Sequence, residues 1–223
     1  TLEPSSAASD VYKRQAVDPD VDRLVFVDEK GKLFGEEYTL VACADFILSK
    51  TPGAIVSNLS STRALADLTK RYGGNYSASA VGEVNVVAEM KAVQAVIGGE
   101  GNGGVIYPEL HYGRDALVGV ALFLSLLVDR NQTAAQIRAT YPSYFMSKNK
   151  IILKKEMDID KILRKIEIKY MGNRISAIDG LKIDFLDEWV HLRKSNTEPI
   201  IRIYTEAKTL ISANELANSC LLY

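Results

Sequence analysis

The rhythm of apolar positions changes several times along the chain. At residues 24–27 the run Leu-Val-Phe-Val reads as a strand, Glu29-Lys30-Gly31-Lys32 supplies turn chemistry, and Leu33-Phe34 offers a return, which predicts a hairpin. Over 35–49, Tyr38, Val41, Ala42, Asp45, Phe46 and Leu48 recur at mostly helical spacing until Lys50-Thr51-Pro52-Gly53 breaks the pattern, and a domain boundary is expected there. Strands and helices then alternate. Residues 54–58 form a candidate strand, and Ser60 or Ser61 can cap a helix that carries Leu65, Leu68 and Tyr72 on one face and stops at Gly73-Gly74. Residues 75–81 and 94–97 are further strands around a short helix at 83–91, and a helix at 115–130 follows a glycine cluster at 98–104. This alternation predicts an α/β fold, a mixed sheet layered between flanking helices.

From about residue 141 the texture becomes α+β. Residues 151–153 are strand-like, while Ile159, Ile162, Leu163 and Ile166 trace a helical stripe whose other face is filled by Asp, Lys and Arg. Leu181, Ile183 and Phe185 alternate with polar neighbours, and a strand at 200–204 follows the polar loop 193–199. The expected organisation is an unstructured leader at 1–15, a short segment at 16–50, an α/β domain at 51–139 and a C-terminal α+β domain at 140–223.

Composition narrows the class of function. The 223 residues carry 27 Lys+Arg against 28 Asp+Glu, a net charge of −1, with 47% hydrophobic residues, so the chain lacks the cationic excess of a nucleic-acid binder and is too apolar for a disordered tail. The longest apolar run, 116–128, falls short of the roughly 20 residues of a membrane span. Cys43 and Cys220 match no metal or redox spacing, which fits a reducing, cytoplasmic setting. The first fifteen residues lack the apolar stretch of a secretory signal. With so little chain before the acidic motif at Asp18, the natural N-terminus is expected to be missing, and the segment 16–50 to be the part most prone to misfold.

Three loops carry candidate chemistry. Asp18-Pro19-Asp20-Val21-Asp22-Arg23 alternates carboxylates with other residues, so that on an extended segment the three acids converge from one side, as a hard cation requires. An EF-hand is ruled out because Arg23 stands where its sharp turn needs Gly; Mg²⁺ with a phosphate partner fits better, and a solvated acidic turn is the alternative. Gly98-Gly99-Glu100-Gly101-Asn102-Gly103-Gly104 satisfies GxGxxG literally, but Val105-Ile106-Tyr107-Pro108 forbids the helix start of a dinucleotide site. What remains is a flexible backbone surface presenting Glu100 and Asn102, groups suited to sugar hydroxyls, or a plain tight turn. Arg193-Lys194-Ser195-Asn196-Thr197-Glu198-Pro199, with Arg202 beyond it, combines a planar cationic fork, hydroxyls, an amide and turn N–H groups into a phosphate cradle, or else a solvated polar loop.

In this order the three loops resemble those of the α-D-phosphohexomutase family of phosphoglucomutases, phosphomannomutases and phosphoglucosamine mutases. That family has DGDxDR as the Mg²⁺ loop of domain 2, GExSGH as the sugar-recognition loop of domain 3 and RxSNTEP as the phosphate loop of domain 4; here they stand as DPDVDR, GEGNGG and RKSNTEP. The resemblance implies Asp18, Asp20 and Asp22 as metal ligands for Mg²⁺. It implies substrate contacts from Arg23, Glu100, Asn102, Arg193, Ser195, Asn196, Thr197 and Arg202. The run IGGEGNGGVIYPELHYGRD looks most like a phosphoglucosamine mutase branch, although Asn102 and Gly104 replace the loop's Ser and His. The implied activity moves a phosphoryl group between the 1- and 6-positions of a hexose phosphate, in a monomer or homodimer. The family's phosphoserine loop, Ser-His-Asn-Pro-like, has no match, so no catalytic nucleophile is named and the chain alone is expected to be inactive. The rival reading is a non-catalytic module that binds Mg²⁺ or sugar phosphates. Glu83 is either a substrate contact or a helix cap, Arg114 faces ligand or solvent, and Asp115 can cap a helix. His111, His191 and Trp189 are read as structural.

Overall fold

The computed structural model describes residues 14–152, 158–195 and 198–221. The chain divides into two compact units, Thr1–Pro142 and Ser143–Tyr223. The first contains β1 (Arg14–Val17), β2 (Leu24–Val27), α1 (Glu36–Lys50), β3 (Ile55–Asn58), α2 (Arg63–Arg71), β4 (Tyr76–Ser79), α3 (Glu83–Val93), β5 (Ile97–Glu100), β6 (Gly104–Ile106), α4 (Ala116–Arg130) and α5 (Ala134–Ala139). Its main sheet has the order β4-β3-β5-β6, with β3 parallel to both β4 and β5 and β6 antiparallel to β5. Successive residues of β5 point to opposite faces, Gly98 toward Met90 of α3 and Gly99 toward Leu40 of α1, so helices cover both sides. A Cβ at Gly98 would sit 2.5 Å from Met90 Sδ and 2.7 Å from Val56 O. The flexible Met90 side chain could move aside, but the Val56 carbonyl of the neighbouring strand could not, and that close backbone is what requires glycine there.

Two sequence expectations are corrected in this unit. Helix α1 is apolar nearly all round, burying Tyr38, Leu40, Val41, Ala42, Cys43, Ala44, Ile47 and Leu48, and it packs on α4, α2 and β5. The break at Thr51-Pro52-Gly53 is thus the α1–β3 connection inside a unit, and the division of the chain falls at Pro142 instead. The predicted hairpin is also different: β2 pairs antiparallel with β1 over Val17↔Leu24 to Arg14↔Val27, while Leu33 contributes only an isolated bridge to Val27. Strand β1 therefore reaches into the expected leader. Leu24 and Phe26 anchor the ribbon, each 2% exposed; the Phe26 ring stacks on Phe123 of α4 at 3.8 Å and Phe34 packs edge-on against both. Segment 16–50 is consequently part of the core.

The second unit contains β7 (Phe145–Ile152), α6 (Ile159–Lys169), β8 (Arg174–Ser176), β9 (Leu181–Asp184), β10 (Trp189–Lys194), β11 (Ile200–Ala207) and α7 (Leu210–Leu221). The five strands form an antiparallel sheet in the order β7-β11-β10-β9-β8. One sheet face, with Leu181, Ile183, Val190, Leu192, Ile201 and Ile203, meets Ile166 of α6 and Leu216, Ala217 and Cys220 of α7. This is the expected α+β texture. The sequence pattern missed most of β7 and all of β8, because the core-facing positions of β7 include the polar Ser147 and Asn149 and β8 is an edge strand of three residues. It also read Arg193 as loop, whereas Arg193 and Lys194 close β10. Among the described residues, no helix is long and apolar enough to cross a membrane.

Two buried polar groups have measurable consequences. Asp45, 2% exposed, accepts Tyr72 Oη at 2.6 Å, Tyr141 Oη at 2.9 Å and Arg130 Nη2 at 3.3 Å. Asp45→Ala strands those donors and lowers the unfolding free energy by about 2 to 4 kcal/mol in urea titrations. His191 is buried, as a structural residue should be, with Nε2 2.7 Å from Asp179 O; burial pushes its imidazole down from 6.5 to about 4. The unfolded chain takes up a proton in that interval and the folded chain does not. Stability therefore falls as pH drops through the interval, by up to about 1.4 kcal/mol per pH unit. The His191→Gln variant shows a flatter dependence of the urea midpoint over the same range.

Candidate functional site

Residues 18–23 form the turn that closes the β1–β2 ribbon. Asp18 Oδ1 accepts the backbone N–H groups of Asp22 and Arg23, each at 3.2 Å, and the Val21 N–H reaches Asp18 O at 3.0 Å. Val21 adopts φ 57°, a left-handed conformation that strains a β-branched residue. The turn, and not the alternation of an extended segment, gathers Asp18, Asp20 and Asp22, whose carboxylates each place an oxygen within 4.8 Å of the others. Among the described residues, Asp18 Oδ2 and Asp22 Oδ1 are closed off from solvent and make no hydrogen bond, with Arg23 Nε 2.8 and 3.6 Å away in ion pairs. Burial pushes the Asp18 carboxyl up, but the N–H groups of Arg23 and Asp22, with the Asp22 side chain and the Arg23 charge, outweigh it and hold the carboxyl below its ordinary value. Three carboxylates gathered within reach of one point are the ligand set of a hard divalent cation, and the three aspartates fit Mg²⁺.

The glycine-rich segment is a buried hairpin between β5 and β6, which corrects the expectation of a flexible surface. Glu100 is 4% exposed; its Oε1 accepts Asn58 Nδ2 at 2.8 Å and the Gly82 N–H at 3.2 Å, and its Oε2 accepts Arg114 Nη1 at 2.8 Å. Asn102 Oδ1 accepts the Gly104 N–H at 3.2 Å and shapes the turn. The Leu24 N–H donates to Gly103 O at 3.1 Å and the Ala116 N–H to Val21 O at 3.3 Å, so the acidic turn, the glycine hairpin and the start of α4 are stitched together.

Arg114 stands at the centre. Its Nη2 lies 2.5 Å from Asp22 Oδ2, its Nη1 holds Glu100, its Nε lies 3.2 Å from Glu83 Oε2, and its backbone N–H donates to Glu83 Oε1 at 3.1 Å. The Glu83 carboxylate thus pairs with Arg114 and provides no side-chain cap for α3. Neither residue was assigned to the site from sequence, because their partners come from other elements and leave no local pattern. Asp115 does cap α4, accepting the Val118 N–H at 3.0 Å, and His111 Nε2 lies 3.0 Å from the other Asp115 oxygen.

The second unit carries the third loop. Arg193 Nε lies 2.8 Å from Asp179 Oδ2, and Arg202 stands directly opposite Arg193 in the β10–β11 register, with its Nη2 3.4 Å from Glu198 Oε2. Ser195 Oγ accepts the Glu198 N–H at 3.3 Å. Arg193, Ser195 and Arg202 therefore meet at one end of a hairpin, while Asn196 and Thr197 lie outside the described residues. Like charges directly opposite one another across a ladder repel, and an anion between them would relieve the repulsion.

Sequence profiles separate the same two units. Residues 35–144 match phosphoglucomutase/phosphomannomutase, alpha/beta/alpha domain III, and residues 146–221 match the C-terminal domain of the same family. The chain belongs to the phosphoglucomutase/phosphomannomutase family. Curated relatives include a phosphoglucosamine/phosphogalactosamine mutase of Sulfurisphaera tokodaii, 35% identical over 91% of this chain and 46% of its own length. A phosphoglucomutase/phosphomannomutase of Thermococcus kodakarensis is 34% identical over 90% and 44%. Among solved structures, a family protein from Burkholderia thailandensis superposes with a TM-score of 0.80 at 26% identity, covering 95% of this chain and 46% of that one. Aspergillus fumigatus N-acetylphosphoglucosamine mutase, solved with GlcNAc-6P and magnesium, gives a TM-score of 0.68 at 17% identity, with 97% and 53% covered, a likeness of fold alone. The chain spans about half the length of the curated relatives it matches. For this family member the acidic turn predicts that Asp20→Asn weakens Mg²⁺ binding by about tenfold or more in calorimetric titration. Unchanged affinity would remove the turn from consideration as a metal site.

Proposed function

We propose that this chain supplies the metal- and sugar-phosphate-binding portion of a phosphohexomutase that moves a phosphoryl group between the 1- and 6-positions of a hexose phosphate, glucosamine phosphate being favoured, through a phosphoserine and a bisphosphate. The observation that carries this reading is the joining of Asp22, in the acidic turn, to Glu100 through one guanidinium, in a member of this family. Mg²⁺ held by Asp18, Asp20 and Asp22 would neutralise charge on a phosphoryl group in transfer. Arg23, 46% exposed at its side chain, is available to a substrate phosphate once its pairing with Asp18 is exchanged. Glu100 Oε2 accepts one hydrogen bond and retains an acceptor position for a sugar hydroxyl, and Asn102 borders the same hairpin. Arg193, Ser195 and Arg202, with Asn196 and Thr197, hold the phosphate that does not react, leaving the opposite end of the sugar to the chemistry. No Ser-His-Asn-Pro-like loop occurs in these 223 residues, so this reading needs a phosphoserine supplied from elsewhere. The two buried free cysteines, Cys43 and Cys220, fit a cytoplasmic setting.

Two measurements test the proposal. Arg193→Ala weakens binding of glucosamine 6-phosphate by about 1.5 to 3 kcal/mol, the range of a charged hydrogen bond, by calorimetry; unchanged affinity would refute the phosphate cradle. In the source gene, the frame upstream of the Ala16 codon continues into a Ser-His-Asn-Pro-like loop. A start codon beside Ala16 would instead leave a binding module without a nucleophile.

A further inference from the structure

The hairpin between β5 and β6 holds no side chain at position 104. The space is nonetheless filled. A Cβ built on Gly104 would lie 2.4 Å from Arg114 Cδ and 3.1 Å from its Cγ, so the arginine stem passes through the volume that a residue-104 side chain would need. The backbone enforces the approach: Ile106 and Arg114 form an antiparallel bridge, and the Asp115 N–H donates to Val105 O at 2.9 Å. From that position the guanidinium, 19% exposed at the side chain, spans Asp22 on the acidic turn, Glu100 on the hairpin and Glu83 at the start of α3.

We propose that Arg114, seated in the space that Gly104 leaves open, is the positioning residue that orients Glu100 toward the sugar and Asp22 toward the metal. The inference rests on the sugar-phosphate reading above. Only a planar, forked cation can hold two carboxylates from two loops on separate nitrogens while its Nε faces a third. Lysine offers a point charge and serves one partner at a time. Gly104 and Arg114 are therefore a matched pair, in which a side chain at 104 and the arginine in its present place exclude one another.

The test is a titration of the full chain with glucosamine 6-phosphate followed by backbone amide NMR shifts, with thermal melting as the check on folding. Arg114→Met weakens binding about tenfold or more, and Arg114→Lys recovers only part of the loss. Gly104→Ala displaces the arginine and weakens binding in the natural background, yet adds nothing to Arg114→Ala. The Gly104→Ala series keeps the proposal exposed to refutation should Arg114→Met melt early. Arg193→Ala and Glu100→Gln report on the underlying reading. If they weaken binding while Arg114→Met does not, or if Gly104→Ala and Arg114→Ala add independently, the role of Arg114 is refuted and the sugar-phosphate site stands. If the natural chain and Arg193→Ala show no binding, both fall.

Discussion

Five carboxylates, those of Asp18, Asp20, Asp22, Glu83 and Glu100, gather in one corner of the first unit, and among the described residues the guanidinium groups of Arg23 and Arg114 pair with all of them but Asp20. Like charges a few ångströms apart repel by about 4 kcal/mol at the effective dielectric near a protein surface, so such a corner needs cations among its acids. Arg114 is the better placed, because it reaches three separate segments while Arg23, among the described residues, pairs within its own turn. Five carboxylates against two guanidinium groups leave an excess of negative charge in the corner. The strained Val21 backbone belongs to the same arrangement, since the turn that brings the aspartates together is also the turn that forces φ 57°.

An acidic corner of this kind holds its shape only on a rigid support. The ribbon that carries it is secured by Leu24 and Phe26 in the apolar core, with Phe123 stacked beneath. Backbone hydrogen bonds from Leu24 to Gly103 and from Ala116 to Val21 then fix the spacing of the two loops more tightly than side chains alone would. In the second unit the same principle appears with the sign reversed. Arg193 and Arg202 face each other across adjacent strands, and each is paired with one carboxylate, Asp179 and Glu198, which offsets the repulsion between them.

The residues most opaque to sequence reading were those whose partners are far along the chain. Arg114 and Glu83 lie in stretches that look like ordinary cap or surface chemistry, and their importance follows only from the approach of β5, α3 and the acidic turn. Edge strands β7 and β8 were missed for a different reason: the core-facing positions of β7 include the polar Ser147 and Asn149, and β8 has only three residues. Helix α1 was found, yet it was assigned to the wrong side of a boundary. Proline and glycine mark the end of a helix equally well whether the chain then leaves a domain or turns back into its sheet.

The amino-acid sequence by itself determined the α/β then α+β order, the apolar helix stripes and the three polar loops, because periodicity and turn chemistry act within a few residues. Tertiary structure alone decided that Asp18, Asp20 and Asp22 converge through a left-handed turn, that Glu100 is buried and thrice hydrogen-bonded, and that Arg114 occupies the space left open by Gly104. These depend on which backbones approach one another and on the counter-charge each carboxylate then finds. No local spacing encodes either, so the loops were legible as separate motifs while their joining through one arginine was not.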